Sequence, residues 1–328
     1  MKINFLILLA LNLIISCNNI IAQIYGCTDP LATNYNIKAT NNDGSCIYKD
    51  TVINITSTIL LPQIIKESSG LIFWNEKFWT HNDDTDINLY SFDKTAPSEY
   101  TAYSITGTKN IEWEELQQDD EYIYIGDTGN NANGNRTDLK ILRIEKKSLL
   151  TSNPIIDSIS FSYSDQTDFM PTGANNTNFD CEAFIVSNDS IYLFTKQWIT
   201  LQTAIYSLSK TPGCHIATFK GQYNINGLIT GAFYNQIPPL VVLCGYNKLL
   251  QPFLFLLYDF ANFDFFSGNK RMIYLNLPLH QVEAITSINL NTYYLTNEYF
   301  SFGKFSIQPM FHEIDLSFLL MNYLEKNK

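Results

Sequence analysis

The sequence predicts an all-β fold, a five-bladed β-propeller, and three observations carry that prediction. A small-residue or acidic entry, a short apolar strand, a polar turn and an aromatic-rich strand ending in polar residues recur five times between residues 51 and 328. Recurrence on this scale marks a repeat architecture. After each copy comes a run in which apolar and polar residues alternate, the period of a strand. The entries at 69, 114, 182, 231 and 283 step by 45, 68, 49 and 52 residues, and each step holds one four-stranded unit of about 40–50 residues.

The chain opens with Lys2 and an apolar run over residues 3–16, broken only by Asn4 and Asn12. Such a run is too short for a permanent span, which takes roughly 20 residues, and it reads as a secretory signal. Two cleavage sites compete. Ile14-Ile15-Ser16-Cys17 has the form of a lipobox that would acylate Cys17, whereas Ile20-Ile21-Ala22 before Gln23 is an ordinary small-residue site. Either places the protein outside the cytoplasm, as a secreted, periplasmic or surface lipoprotein, and a lipid anchor is then its one contact with a membrane. The expected division is a leader over 1–22 (or ending before Cys17), a polar module over 23–50 and a propeller over 51–328.

The module is bracketed by Cys27 and Cys46 and is full of turn formers with almost no core residues. A segment of this kind needs a crosslink to hold its shape, and an oxidising compartment allows one, so a Cys27–Cys46 disulfide is expected. Its GCTDP, N-Y-N and DGSC pattern resembles a short Cys-bounded module near the ends of secreted proteins of Bacteroidota. Asp29 and Asp43 are candidate calcium ligands there, set against the plainer expectation of a stapled polar spacer. Cys181, Cys214 and Cys244 stand in apolar contexts and are expected to be buried thiols.

In the propeller, the first two strands of the copies cover residues 67–73 and 78–83, 113–116 and 123–127, 180–184 and 191–196, 229–233 and 240–244, and 282–285 and 293–298. Third strands are expected at 88–92, 139–144, 204–208, 253–257 and 311–316, and fourth strands at 100–105, 159–163, 215–219 and 272–275. The fifth copy lacks a fourth strand. The unclaimed strand-like segment 52–59 supplies it and closes the ring. A six-bladed ring is the alternative if the 68-residue step hides a degenerate blade, although that step falls short of two full units. A β-sandwich would not repeat the same polar entry five times.

Acidic side chains outnumber basic ones 32 to 21, a formal charge of −11. That excludes a nucleic-acid partner, which demands a basic face to displace counterions from phosphate. With 14% aromatic and only 16% charged residues, the chain is also no disordered polymer. First strands line a propeller's channel, so Ser69, Glu114, Glu182, Gly231 and Glu283 are expected to converge. Three carboxylates on one axis repel unless protonated or bridged by a cation. An oxygen-only donor set suits calcium better than zinc. The alternative is that these residues solvate a wet channel.

The entries 67–75, Asn82-Asp83-Asp84, Trp113-Glu114-Glu115-Leu116, Glu182 and Val282-Glu283-Ala284-Ile285 resemble the blade starts of the calcium-activated nucleotidases, or apyrases. The resemblance spans about 51–316 in rhythm and is specific only at those short motifs. It implies a five-bladed propeller with one channel calcium, ligated here by Ser69, Glu114, Glu182 and Glu283. Gly231 stands where that family has a Ser, so one side-chain ligand is missing. Phytase-like secreted propellers are the next nearest likeness.

The second strands end in Asn82, Asp83, Asp84, Asp127, Asn130, Asn131, Lys196, Asn297 and Glu298, which with His81 and Arg136 are expected to form one channel mouth. His81 is expected to be a hydrogen-bonded rim residue. Gly126-Asp127-Thr128-Gly129-Asn130-Asn131 precedes a strand rather than a helix and reads as a turn, not a phosphate cradle. A catalytic site would draw on Asp127 and Asp83 to activate water and on Lys196 and Arg136 to offset substrate charge. These cations are scattered rather than paired. The sequence therefore favours a monomeric, calcium-clamped surface protein that binds a small molecule, a glycan or another surface protein. The alternative is a calcium-dependent phosphohydrolase, and lactonase or esterase chemistry ranks below it.

Overall fold

The computed structural model describes residues 23–151 and 153–327; the leader and the Cys17 lipidation site lie outside the described residues. The module contains β1 (Tyr25–Gly26) and β2 (Asn41–Asn42), paired in parallel. The segment that follows contributes β3 (Val52–Ile53) and β4 (Ser57–Leu60).

Four complete meanders come next. The first is β5 (Ser68–Trp74), β6 (Lys77–Asn82), β7 (Asn88–Asp93) and β8 (Ala96–Ser104). The second is β9 (Trp113–Gln118), β10 (Tyr122–Asp127), β11 (Lys140–Glu145) and, after the one-turn helix α1 (Lys146–Leu149), β12 (Ile156–Tyr163). The third is β13 (Asp180–Val186), β14 (Ser190–Lys196), β15 (Gln202–Ser209) and β16 (Gly213–Asn224). The fourth is β17 (Leu228–Asn235), β18 (Leu240–Tyr246), β19 (Pro252–Tyr258) and β20 (Asn269–Leu275). A last group has β21 (Val282–Ser287), β22 (Thr292–Asn297), a hairpin of β23 (Phe300–Phe302) and β24 (Phe305–Ile307), and β25 (Met310–Asp315). Its fourth strand is β4, antiparallel to β25.

The apolar cores show how these sheets are arranged. Ile72, Trp79 and Leu89 of the first sheet pack with Trp113, Leu116 and Ile125 of the second. Tyr124 and Ile141 of the second meet Phe184 and Leu193 of the third. Ile185 and Phe194 join Val241 and Leu243 of the fourth, and Leu240, Val242 and Cys244 join Ile285 and Leu295 of the last. The circuit then closes, because Ala284, Tyr294 and Phe311 pack on Leu71, Phe78 and Phe92 of the first sheet. The middle strands of the sheets are covered on both faces, which is why β18 (LVVLCGY) and β19 (PFLFLLY) are buried throughout instead of alternating, whereas the outer strands β8 and β16 are largely exposed. Sheets stacked radially in a closed circuit make a β-propeller.

Three elements depart from expectation. Segment 52–59 is split: β4 closes the ring as anticipated, but β3 instead extends the fourth sheet, parallel to β20. Residues 164–179, within the long step, hold no strand, and the surplus length of that unit goes to this loop and to the strandless segment 128–139. The chain ends in a helix, α2 (Ser317–Lys326), which the strand rhythm did not announce. Leu319, Leu320, Tyr323 and Leu324 form one helical face and bury it against the fourth and last sheets. Tyr323 also donates to the Pro239 carbonyl at 2.6 Å.

The module is not a spacer. It holds the expected Cys27–Cys46 disulfide, and it is seated on the fourth sheet. Asp29 is buried, and its Oδ2 accepts hydrogen bonds from the Tyr48 and Tyr258 hydroxyls at 2.8 and 2.6 Å. Its Oδ1 accepts from the Leu31 amide. Thr28 and Asn42 both donate to Asp259. A Cβ on Gly44 would stand 2.3 Å from the Ser267 carbonyl oxygen, so glycine is required for this approach. Asp29 is therefore a docking residue, and its polar partners explain how a segment with few core residues holds to the ring.

Candidate functional site

Each inner strand carries a β-bulge at its entry. The ladder skips Gly70 in β5, Glu114 in β9, Glu182 in β13, Thr230 in β17 and Glu283 in β21. A bulge re-aims the extra side chain out of the normal alternation. Here it does so at five equivalent positions, and three of them are glutamates. The bulge also corrects the alignment at two entries: Gly70 and Thr230, not Ser69 and Gly231, match the glutamates.

Hydroxyls beside these bulges link neighbouring sheets. Ser69 Oγ donates to the Glu114 carbonyl at 2.5 Å, Thr128 Oγ1 to the Cys181 carbonyl at 2.7 Å, and Thr230 Oγ1 to the Val282 carbonyl at 2.6 Å. Ser68 bonds Thr80 within its sheet and Thr296 in the last sheet. Ser69 thus helps hold the ring together and is absent from the lining of the cavity described next.

At this end of the channel lies a cavity of about 200 Å³, lined by Asp83, Glu114, Glu182, Glu283, Glu298 and Lys196, with Asn131, Asn175, Trp198, Tyr246 and Gln281 completing the wall. Lys196 Nζ is bonded to Glu182, and it lies 4.7 Å from the Trp198 ring centre and 5.2 Å from that of Tyr246. Glu114 and Glu283 are only 4% and 6% exposed, and no described residue donates a hydrogen bond to either carboxylate. Glu114 lies close against Gly129, where a Cβ would come within 2.1 Å of Oε1.

The electrostatics follow from burial of like charges. Burial, then Glu182 and Asp83, pushes Glu114 well above the usual carboxylate range. Glu182 and Glu283 are raised in the same way, with Lys196 opposing the shift in both. Burial, followed by Glu67 and Glu112, lifts Asp83 to about 7. Burial and Asp83 lift Glu298 to about 8. For Lys196 burial acts downward, but Glu182, Tyr246 and Glu283 outweigh it and hold the ammonium well above its ordinary value.

Deeper in the channel, Glu115 and Gln117 reach across to the opposite sheet. Glu115 Oε2 accepts from the Ala232 amide at 2.7 Å and Oε1 from the Leu116 amide, while Gln117 Nε2 donates to the Ala232 carbonyl at 2.6 Å. These bonds bridge the second and fourth sheets beyond the cavity. Sequence reasoning passed over both residues, since a Glu beside an entry Glu carries no signal of its own.

Other expected mouth residues are engaged elsewhere. Asp127 is fully buried, and its oxygens meet Arg136 Nη2 and Lys140 Nζ, each at 2.9 Å. Arg136 also holds Asp138 and the Gly129 carbonyl. Asn130 fastens the same loop to Arg136 and Phe179, which makes 126–131 the turn expected of it. His81 is not on the rim: it is wholly buried, edge-on to Trp113, and burial pushes its imidazole down to about 4. Asn82 bonds the Ile64 carbonyl and Asp86. Asn297 ties Gln308 and His312 together. Cys181 and Cys244 are buried as expected, but Cys214 is exposed, on the outer strand β16.

The missed wall residues include Tyr246, which occupies the second-strand position of Lys196 and Glu298 by ladder register. Extending the fourth copy two residues past Cys244 would have found it. Among the described residues, no three carboxylate, imidazole or thiol groups stand close enough together to share one metal ion. The donor set itself is all oxygen, which fits calcium. No family model matches this chain, and no curated protein matches it. Among solved structures it is similar to the WD40 β-propeller domain of Doa1, at 7% identity over 74% of this chain and 65% of that one, with a TM-score of 0.32. It is also similar to YjhT, at 12% identity over 73% of this chain and 74% of that one, with a TM-score of 0.40.

Proposed function

We propose that this propeller is an extracytoplasmic calcium-binding protein whose cavity-bearing end presents its loops to a glycan or protein of the cell surface. One observation carries the reading: two buried glutamates, Glu114 and Glu283, face a single cavity without a hydrogen-bond donor. Leaving buried carboxylates unpartnered costs stability unless a cation compensates. Glu182, Asp83 and Glu298 would complete an oxygen-only site of the size calcium takes, 6–8 ligands. The likeness of the entries to the calcium-activated nucleotidases points the same way, with Ser69 replaced in that role by the mouth carboxylates. The Cys27–Cys46 bond supports an oxidising setting. Among the described residues, no helix is long and apolar enough to cross a membrane.

A binding role is favoured over phosphohydrolysis because the charged side chains a phosphate would require are committed. Arg136 and Lys140 hold Asp127, and Lys196 holds Glu182. Isothermal titration of chelator-stripped protein with calcium, paired with melting curves, tests the reading. Saturable binding at one site and a rise in melting temperature are expected, with no phosphate released from nucleoside diphosphates. Absence of both binding and thermal shift at millimolar calcium would overturn it, and calcium-dependent phosphate release would replace the binding role with the hydrolase.

A further inference from the structure

Lys196 lies among the very carboxylates that the calcium reading requires. Its side chain is 4% exposed, its ammonium is bonded to Glu182, and it lies over the faces of Trp198 and Tyr246. It is the one basic residue among those lining the cavity. An ammonium offers the acids the charge a metal would bring, but as a single positive charge it neutralises one of them. Glu114 and Glu283 are left unmatched. In a cavity of about 200 Å³ a second cation lies close to the first, and like charges at such range repel where water is scarce, so the two compete for Glu182. We propose that Lys196 is the resident cation of this cavity and that calcium enters by displacing its ammonium from Glu182.

The displaced side chain has a place to go. Lysine carries its charge on a flexible four-carbon stem, and the Trp198 and Tyr246 faces already beside the ammonium can hold it through cation–π attraction once Glu182 turns to the metal. The site therefore has two occupants and two arrangements: Lys196 on Glu182 without calcium, and Lys196 held by the rings with calcium on Glu114, Glu182 and Glu283. Because the exchange sets one cation against another, Lys196 weakens apparent calcium affinity and raises the calcium concentration at which the site fills. This inference rests on the calcium reading of the cavity.

Calorimetric titration of wild type, Lys196→Gln and Lys196→Arg with calcium separates the two claims. Lys196→Gln removes the competing charge and is expected to bind calcium about tenfold or more tighter. Lys196→Arg keeps the charge and is expected to bind no tighter than wild type. Calcium binding by wild type with no gain in Lys196→Gln overturns the competition while leaving the calcium reading standing. No binding by any of the three, each folded by circular dichroism, overturns both. Should Lys196→Gln unfold in chelator, recovery of its circular dichroism on adding calcium supports the proposal. Failure to fold at any calcium concentration overturns it by making Lys196 a structural residue.

Discussion

Two groups of buried acids in this molecule differ in one respect, and the difference separates structure from site. At the seam between the module and the ring, Asp29 has both oxygens occupied, by two tyrosine hydroxyls and a backbone amide. Glu115, inside the channel, is equally well supplied by two amides. Its immediate neighbour Glu114 is also buried, yet no described residue donates to it, and Glu283 shares that condition. A carboxylate with its donors in place gains about 1.5–3 kcal/mol per charge-assisted bond. One without them is held against its own desolvation, and the proposed calcium site rests on that condition.

The contrast can be broken from either side. The largest effect is expected at the seam's staple: Cys27→Ser opens a crosslink between residues 19 apart, worth about 3 kcal/mol in the chain-entropy account. Denaturant unfolding should show that loss, and reducing agent should reproduce it in wild type but leave the variant unchanged. Asp29→Ala strands two tyrosine hydroxyls and is expected to cost about 2–3 kcal/mol, equally with and without calcium. An Asp29 variant with wild-type stability would mean that the module merely rests on the ring.

Glu115→Gln replaces one amide-accepting oxygen by a donor and should cost about 1–2 kcal/mol, again independent of calcium. His312 offers a test by pH at the ring closure. Its Nε2 donates to Asn297 Oδ1 at 2.8 Å and its Nδ1 accepts from Thr58 of β4 at 2.9 Å. Burial, with His280 alongside, pushes it down from 6.5 to about 3. Because the folded value is depressed, its contribution is full above 6.5 and is lost as pH falls toward 3. His312→Gln is expected to flatten the stability profile across that window, and an unchanged slope would remove His312 from the acid response.

The smallest effect, and the one of opposite sign, belongs to the cavity. Glu283→Gln relieves repulsion among Glu182, Glu298 and Asp83, so it should stabilise calcium-free protein by about 1 kcal/mol. The same change should abolish the calcium-dependent rise in melting temperature. Loss of stability in chelator would make Glu283 another structural acid like Glu115.

Much of the architecture was legible in order along the chain. Strand runs such as 123–127, 191–196 and 253–257 fall inside β10, β14 and β19, because period-two patterning and β-branched and aromatic content are local properties. The glutamates at 114, 182 and 283 were legible for the same reason. Ser69 and Gly231 were misaligned by one residue because a bulge is set by pairing across a ladder, not by the residues of one strand. Asp127 looked free because its partners, Arg136 and Lys140, follow a loop whose course the sequence does not announce.

What the sequence determined by itself is the repeat, the three entry glutamates, the module and its disulfide: features encoded within a few residues or in a recurring step. The tertiary structure decided which acids are satisfied. Glu115 finds Ala232 across the channel, Asp29 finds Tyr258 across more than two hundred residues, and Lys196 comes to lie among glutamates from three different sheets. Hydrogen-bond and charge partners of this kind are properties of closure. They come into being only when the last sheet packs on the first, so no reading of one strand at a time could assign them.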